Sequence, residues 1–200
     1  MSETNCDTSS TRWPAVSLAE ANARVTAPGM PCETVEALID GRTMRVWKHA
    51  PASLGAVIAH SRIYGDRIAL VHEEERITFE AHWRASAAFA SALAEAGVVK
   101  GSRVAIVMRN LPEWSVAFYA AASLGAVVVP LNAWWTSPEL VFAVRDSGAK
   151  AVVFDGERYV RFGAELMACD GVEQGFVARP SDTLANPDVT DMATLIGPSV

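Results

Sequence analysis

Two hundred residues, half of them apolar and a fifth charged, leave room for one sizeable core, or for one domain and part of a second. The formal net charge of −6 and the lack of any lysine or arginine cluster exclude a non-specific nucleic-acid binder. The three cysteines, Cys6, Cys32 and Cys169, are widely spaced and odd in number, which excludes a disulfide framework or a zinc motif and fits reduced thiols in a cytoplasmic protein.

The N-terminal residues 1–14 lack the apolar stretch of a signal peptide and are expected to form a disordered tail. A first helix begins at Ser17, where Ser17 and Glu20 make a capping-box pair, and Pro28-Gly29 ends it. Thr43 to His49 reads as a short strand, and Ser53 caps a helix that stops at Gly65. Two β-rich runs, Ile68–His72 and Arg76–Phe79, predict a hairpin with Glu73, Glu74 and Glu75 as a solvated tip. Thr78 caps a long alanine-rich helix ending at Gly97. Glu80, Arg84, Ser91 and Glu95 share its polar arc, and Trp83, Ala87, Phe89, Ala90 and Leu93 its apolar side.

From Arg103 the pattern becomes regular. RVAIVM lacks alternation, as a strand covered on both faces does. Asn110 and Glu113 are placed to cap the next helix, which is apolar almost all round and ends at Gly125. AVVVPL follows as a second buried strand. Thr136 and Glu139 form a capping box for a helix ending at Gly148. AKAVVFD is a third strand, GERYVRFGAELMAC a third helix, and Glu173 to Ala178 a fourth strand. Repeated strand–helix–strand units predict an α/β fold with a doubly wound, mostly parallel sheet flanked by helices. The expected organisation is a helix/strand segment over 15–66, a parallel α/β subdomain over 67–180, and an interrupted connection or tail over 181–200.

Such sheets bind ligands beyond the carboxyl ends of their strands. Yet no G-x-G-x-x-G or G-x-x-x-x-G-K-[ST] phosphate loop occurs, and the turn after Met108 reads RNLPEW. None of the four histidines has metal-ligand spacing, and His82 falls on the apolar side of its helix as a core or boundary residue. No nucleophile elbow is present either. The candidate residues are therefore Asn132, Trp134 and Trp135, which leave the strand VVVPL at its carboxyl edge. They either line a substrate-cleft rim, or the two tryptophans cover the edge of the sheet or an interface.

Four segments in order carry a resemblance: RITFEAH, GVVKGSRVAIVMRNLPEW, SLGAVVVPLN and TSPELVFAVRDSGAK. They resemble the N-terminal portion of the AMP-forming acyl-CoA synthetases of the adenylate-forming superfamily, over about Ala15 to Asp155. Ser102 stands where the family usually has an aspartate, and Trp134 where many members have a basic residue. The resemblance implies activation of a carboxylic, fatty-type acid with ATP and Mg²⁺ to acyl-AMP, then transfer to CoA. It also implies a further C-terminal part that carries the phosphate loop and the catalytic residues, and it allows a homodimer. On that basis the 200-residue chain by itself is expected to be inactive and to bind no cofactor tightly. The alternative is a stand-alone, non-catalytic α/β binding or scaffold module derived from that family.

Overall fold

The structure is a computed structural model that describes residues 15–197; the predicted tail over 1–14 lies outside the described residues. The chain divides into two compact units, one ending at Pro51 and the other starting at Ala52. The division thus precedes the expected 66/67 boundary, because the helix after Ser53 packs with the second unit.

The first unit holds helix α1 (Leu18–Thr26) and strands β1 (Thr34–Ile39) and β2 (Arg42–Trp47). Ser17 caps α1 as expected, its Oγ accepting the Glu20 amide at 3.2 Å. The antiparallel β1–β2 hairpin corrects the expectation of a lone strand. Its turn is Asp40-Gly41, both at positive φ (46° and 77°). An Asp-Gly pair between β-forming runs is a strong hairpin signal, and TVEALI before it is the partner strand.

The second unit opens with α2 (Leu54–His60), capped by Ser53, and a 3-10 turn over Ser61–Tyr64. The hairpin β3 (Ile68–His72) and β4 (Glu75–Thr78) follows. Glu75 thus belongs to a strand rather than to the solvated tip. Thr78 Oγ1 accepts the Ala81 amide and starts α3 (Phe79–Glu95). On α3 the buried side chains are His82, Ala85, Ser86, Phe89 and Leu93, while Ala87 is exposed. The burial stripe is therefore rotated from the expected arc.

Strands β5 (Arg103–Val107), β6 (Val127–Pro130), β7 (Ala151–Asp155), β8 (Gln174–Ala178) and β9 (Val189–Asp191) form one sheet in the order β6-β5-β7-β8-β9. All four pairings are parallel. Helices α3 and α4 (Pro112–Ser123) cover one face, and α5 (Ser137–Ser147) and α6 (Gly156–Met167) the other. Alternate residues of one strand therefore enter different cores: Val104 and Ile106 meet Phe89, Leu93 and Val116, whereas Ala105 and Val107 meet Leu140, Phe154 and Leu166. This two-sided burial is why β5 and β7 read as unbroken apolar runs. Across the first core Phe89 meets Phe176 edge to face, with ring centroids 5.0 Å apart. Such a contact adds about 1 kcal/mol beyond burial.

Three expectations change here. Strand β6 is an edge strand, not a buried one, and Val127 is half exposed. Asn110 does not cap α4: Leu111 occupies the cap position with no side-chain bond, and Pro112 at N1 supplies the helical start. Where an interrupted connection or tail was expected over 181–200, the described residues up to 197 hold regular structure: β9 joins the sheet and α7 (Ala193–Ile196) follows it. A three-residue strand and a one-turn helix are too short to show periodicity. Among the described residues no helix is long and apolar enough to cross a membrane.

His82 links α3 to α4, its Nε2 lying 2.9 Å from Ser115 Oγ and its ring edge-on to Tyr119. Burial holds its imidazole below the ordinary value of 6.5. The unfolded chain therefore takes up that proton first, and stability falls as pH drops below about 6.5. Urea melts from pH 7.5 to 5 should show this slope, and His82→Gln should flatten it; an unchanged slope in the variant would exclude His82 as its source. Gly156 opens α6 with no room for a side chain, because a Cβ there would overlap the Arg179 carbonyl oxygen. Gly156→Ala should destabilise the unit by about 1–3 kcal/mol, read as a lower urea midpoint; an unshifted midpoint would mean the contact is loose.

Candidate functional site

A cavity of about 810 Å³ lies beyond the carboxyl ends of β5, β6, β7 and β8. Its wall is built from Arg109 and Asn110 after β5, Asn132, Ala133 and Trp134 after β6, Asp155 to Arg158 after β7, and Arg179 after β8. His72 and Glu73 of the β3–β4 hairpin close one side. This is the position at which a doubly wound sheet offers its strand exits to a ligand.

Two of the three candidates read from the sequence line this cavity. Asn132 folds back on its own turn, its Oδ1 accepting the Trp134 amide at 3.0 Å. Trp134 is 70% exposed, a large fraction for an indole. Two guanidinium carbons lie over its ring, Arg109 Cζ at 5.1 Å and Arg158 Cζ at 5.3 Å from the centroid. Trp135 is not part of the wall; its amide donates to the Asn132 carbonyl at 3.1 Å.

The residues that organise the site were not among those candidates. Asp155 ends β7 and caps α6, Oδ1 accepting the Arg158 amide and Oδ2 the Arg109 amide, each at 2.8 Å. One carboxylate therefore fixes the start of a helix and the exit of the neighbouring strand. Arg158 is 1% exposed. Its Nε donates to the Ala133 carbonyl at 3.1 Å, and its Nη1 to Glu157 at 2.8 Å and to Asp155 at 3.5 Å. Its Nη2 is buried with no hydrogen-bond partner. A sequence signal for this residue exists: Arg158, Phe162 and Leu166 recur at i, i+4 and i+8, so the arginine sits on the apolar stripe of α6.

Arg179 is the second organiser. It is a non-glycine residue at positive φ (54°), a conformation that carries a cost. Its guanidinium grips Glu75 with two bonds of 2.9 and 2.8 Å and Glu113 with one of 2.7 Å. These bonds, led by those to Glu75, push the arginine above its ordinary range and hold the Glu75 carboxyl below 4.5. The pair ties the β3–β4 hairpin to the end of β8, and Glu113 of α4 joins it. Among the described residues, no group of three or more His, Cys, Asp or Glu side chains is arranged to hold a metal ion.

The profile of the AMP-binding enzyme family matches residues 58–191. The chain is 46% identical over 65 residues to long-chain-fatty-acid–CoA ligase FadD13 of Mycobacterium tuberculosis, covering 32% of this chain and 13% of that protein. It is 40% identical over 91 residues to the long-chain-fatty-acid–CoA ligase of Escherichia coli O157:H7, 45% of this chain and 16% of the relative. Against 2-succinylbenzoate–CoA ligase of Bacillus velezensis it is 34% identical over 100 residues, 50% of this chain and 20% of the relative. The matches therefore span a fifth or less of these relatives' length. Among solved structures, the Mycobacterium tuberculosis fatty acyl CoA synthetase superposes with a TM-score of 0.58 at 27% identity, over 74% of this chain and 28% of the other. Coronafacic acid ligase from Pectobacterium brasiliense gives a TM-score of 0.67 at 21% identity, over 74% and 30%, a likeness of fold alone. The family profile covers more than half of the chain, from α2 to the end of β9, and on that ground the chain belongs to the family of AMP-binding enzymes.

Proposed function

We propose that the chain is the N-terminal part of an acid–CoA ligase that activates a fatty-type carboxylic acid. The family profile over 58–191 carries this reading, together with the fatty-acid–CoA ligases among the relatives. In the whole enzyme the acid would attack ATP to give acyl-AMP and pyrophosphate, and the CoA thiolate would then displace AMP. This chain's contribution would be the sheet and one wall of the substrate cleft, with Asn132 and Trp134 on its rim and Trp135 behind them. Its own residues do not fit a Mg²⁺–ATP site. The sequence contains no glycine-rich phosphate loop, and the Arg179 guanidinium is already taken up by two carboxylates, Glu75 and Glu113. The catalytic steps are accordingly assigned to residues outside this chain. A cytoplasmic location and a homodimer belong to the same reading, and cell fractionation and sedimentation test them.

A second reading, a stand-alone non-catalytic module of the same family, draws on one observation. Met192 is buried, and Leu195 and Ile196 pack against the core on the α3 side of the sheet. A unit that folds by itself needs its apolar core covered in this way.

The deciding experiment is to read the gene past the codon for Val200, express the encoded protein, and follow its products with palmitate, ATP and CoA. The expected outcome is palmitoyl-CoA with AMP and pyrophosphate from the longer protein, and no ATP–pyrophosphate exchange from the 200-residue chain. A stop codon directly after Val200, or ADP as product, contradicts the ligase reading. In the longer protein, replacing Trp134 and Trp135 together with alanine should raise KM for palmitate by about ten-fold, the loss of one buried apolar contact. An unchanged KM and chain-length preference would remove both tryptophans from the acyl path.

A further inference from the structure

We propose that Arg158 and Arg109, lying over the Trp134 ring, form a subsite for a single carboxylate group, which is reached when the indole turns aside. The inference rests on reading the cavity as a ligand cleft, as above, and gives the chemistry of one part of its wall.

The first observation is the unsatisfied guanidinium edge. Arg158 lines the cavity and is 1% exposed. Its Nε and Nη1 are engaged by Ala133, Asp155 and Glu157, yet Nη2 has no oxygen partner. A buried charged donor without an acceptor is costly, and the face of an indole compensates it only weakly. The second observation is Arg109. It is exposed at the mouth of the cavity, makes no ion pair among the described residues, and contributes a second guanidinium over the same ring. The third is Trp134, whose indole is 70% exposed and so is not locked in place by the core.

Charge selects the ligand. Arg109 and Arg158 bring two positive charges to the subsite, and Asp155 and Glu157 two negative ones. A carboxylate adds only one negative charge, and it can offer one oxygen to the free Nη2 of Arg158 and the other to the exposed Arg109 guanidinium. A phosphate dianion adds a second negative charge beside Asp155 and Glu157 and is disfavoured.

The test uses the 200-residue chain labelled with 5-fluorotryptophan, with the Trp134 ¹⁹F resonance assigned through Trp134→Phe. Sodium acetate and inorganic phosphate are titrated separately at constant ionic strength, with chloride as the balancing ion. A saturable shift of the Trp134 line with acetate is expected, and none with phosphate over the same range. Arg109→Gln, an exposed change that spares the buried network, should weaken the acetate response by about ten-fold, as loss of one charged contact does. Arg158→Lys, which keeps the charge but removes Nη2, should abolish it. The absence of a saturable acetate shift, an equal response in Arg109→Gln, or tighter binding of phosphate than of acetate would overturn the proposal. Neither ATP nor CoA enters the assay, so its failure leaves the ligase reading standing, and failure of the ligase reading leaves this one.

Discussion

A charged guanidinium lies buried where three parallel strands end. Taking Arg158 out of water costs several kcal/mol, and that cost is offset only if its neighbours stay in register. The Ala133 carbonyl, the Asp155 carboxylate and the Glu157 carboxylate supply the acceptors. Asp155 in turn holds the Arg109 amide. The exits of β5, β6 and β7 are thereby fixed to one another by side chains as well as by the sheet's own hydrogen bonds. The cavity wall is made of these same exits, so its shape follows from the buried charge.

Arg179 extends the arrangement to β8 and the hairpin. Its backbone is held at positive φ, and its carbonyl oxygen sits where a side chain on residue 156 would be, which leaves glycine as the fitting residue at the start of α6. The guanidinium spans from β8 to Glu75 and Glu113. Strain of this kind persists where surrounding contacts over-determine a residue, and here two carboxylates do so. The sheet supplies the frame, and the two arginines set the geometry at its carboxyl edge.

How much of this was legible in the sequence depended on how local each signal was. The unbroken apolar runs of β5 and β7, the Thr136–Glu139 capping box and the glycine at 148 are local patterns, and each formed as expected. The hairpin turn at Asp40-Gly41 is an equally local signal, an Asp-Gly pair between two β-forming runs. Strand β9 has three residues and α7 four, lengths at which periodicity carries no information. The edge position of β6 depends on strand order, which no single segment encodes. At the site, Asn132 and Trp134 followed from the rule that ligands gather beyond strand exits. Arg179 did not, because its partner Glu75 lies 104 residues away and the pairing exists only in the folded chain. Arg158 was visible as a charge on the apolar stripe of α6, but in GERYVRF it resembles an ordinary surface arginine.

The claim that the buried Arg158 holds the strand exits together is tested most directly by amide hydrogen exchange in Arg158→Met, a replacement of similar length without charge. The account predicts faster exchange at the Arg109 amide, whose acceptor is Asp155, with protection kept along Val104–Val107 and Ala151–Phe154. An even loss of protection across the whole sheet, or unchanged exchange at Arg109, would contradict it.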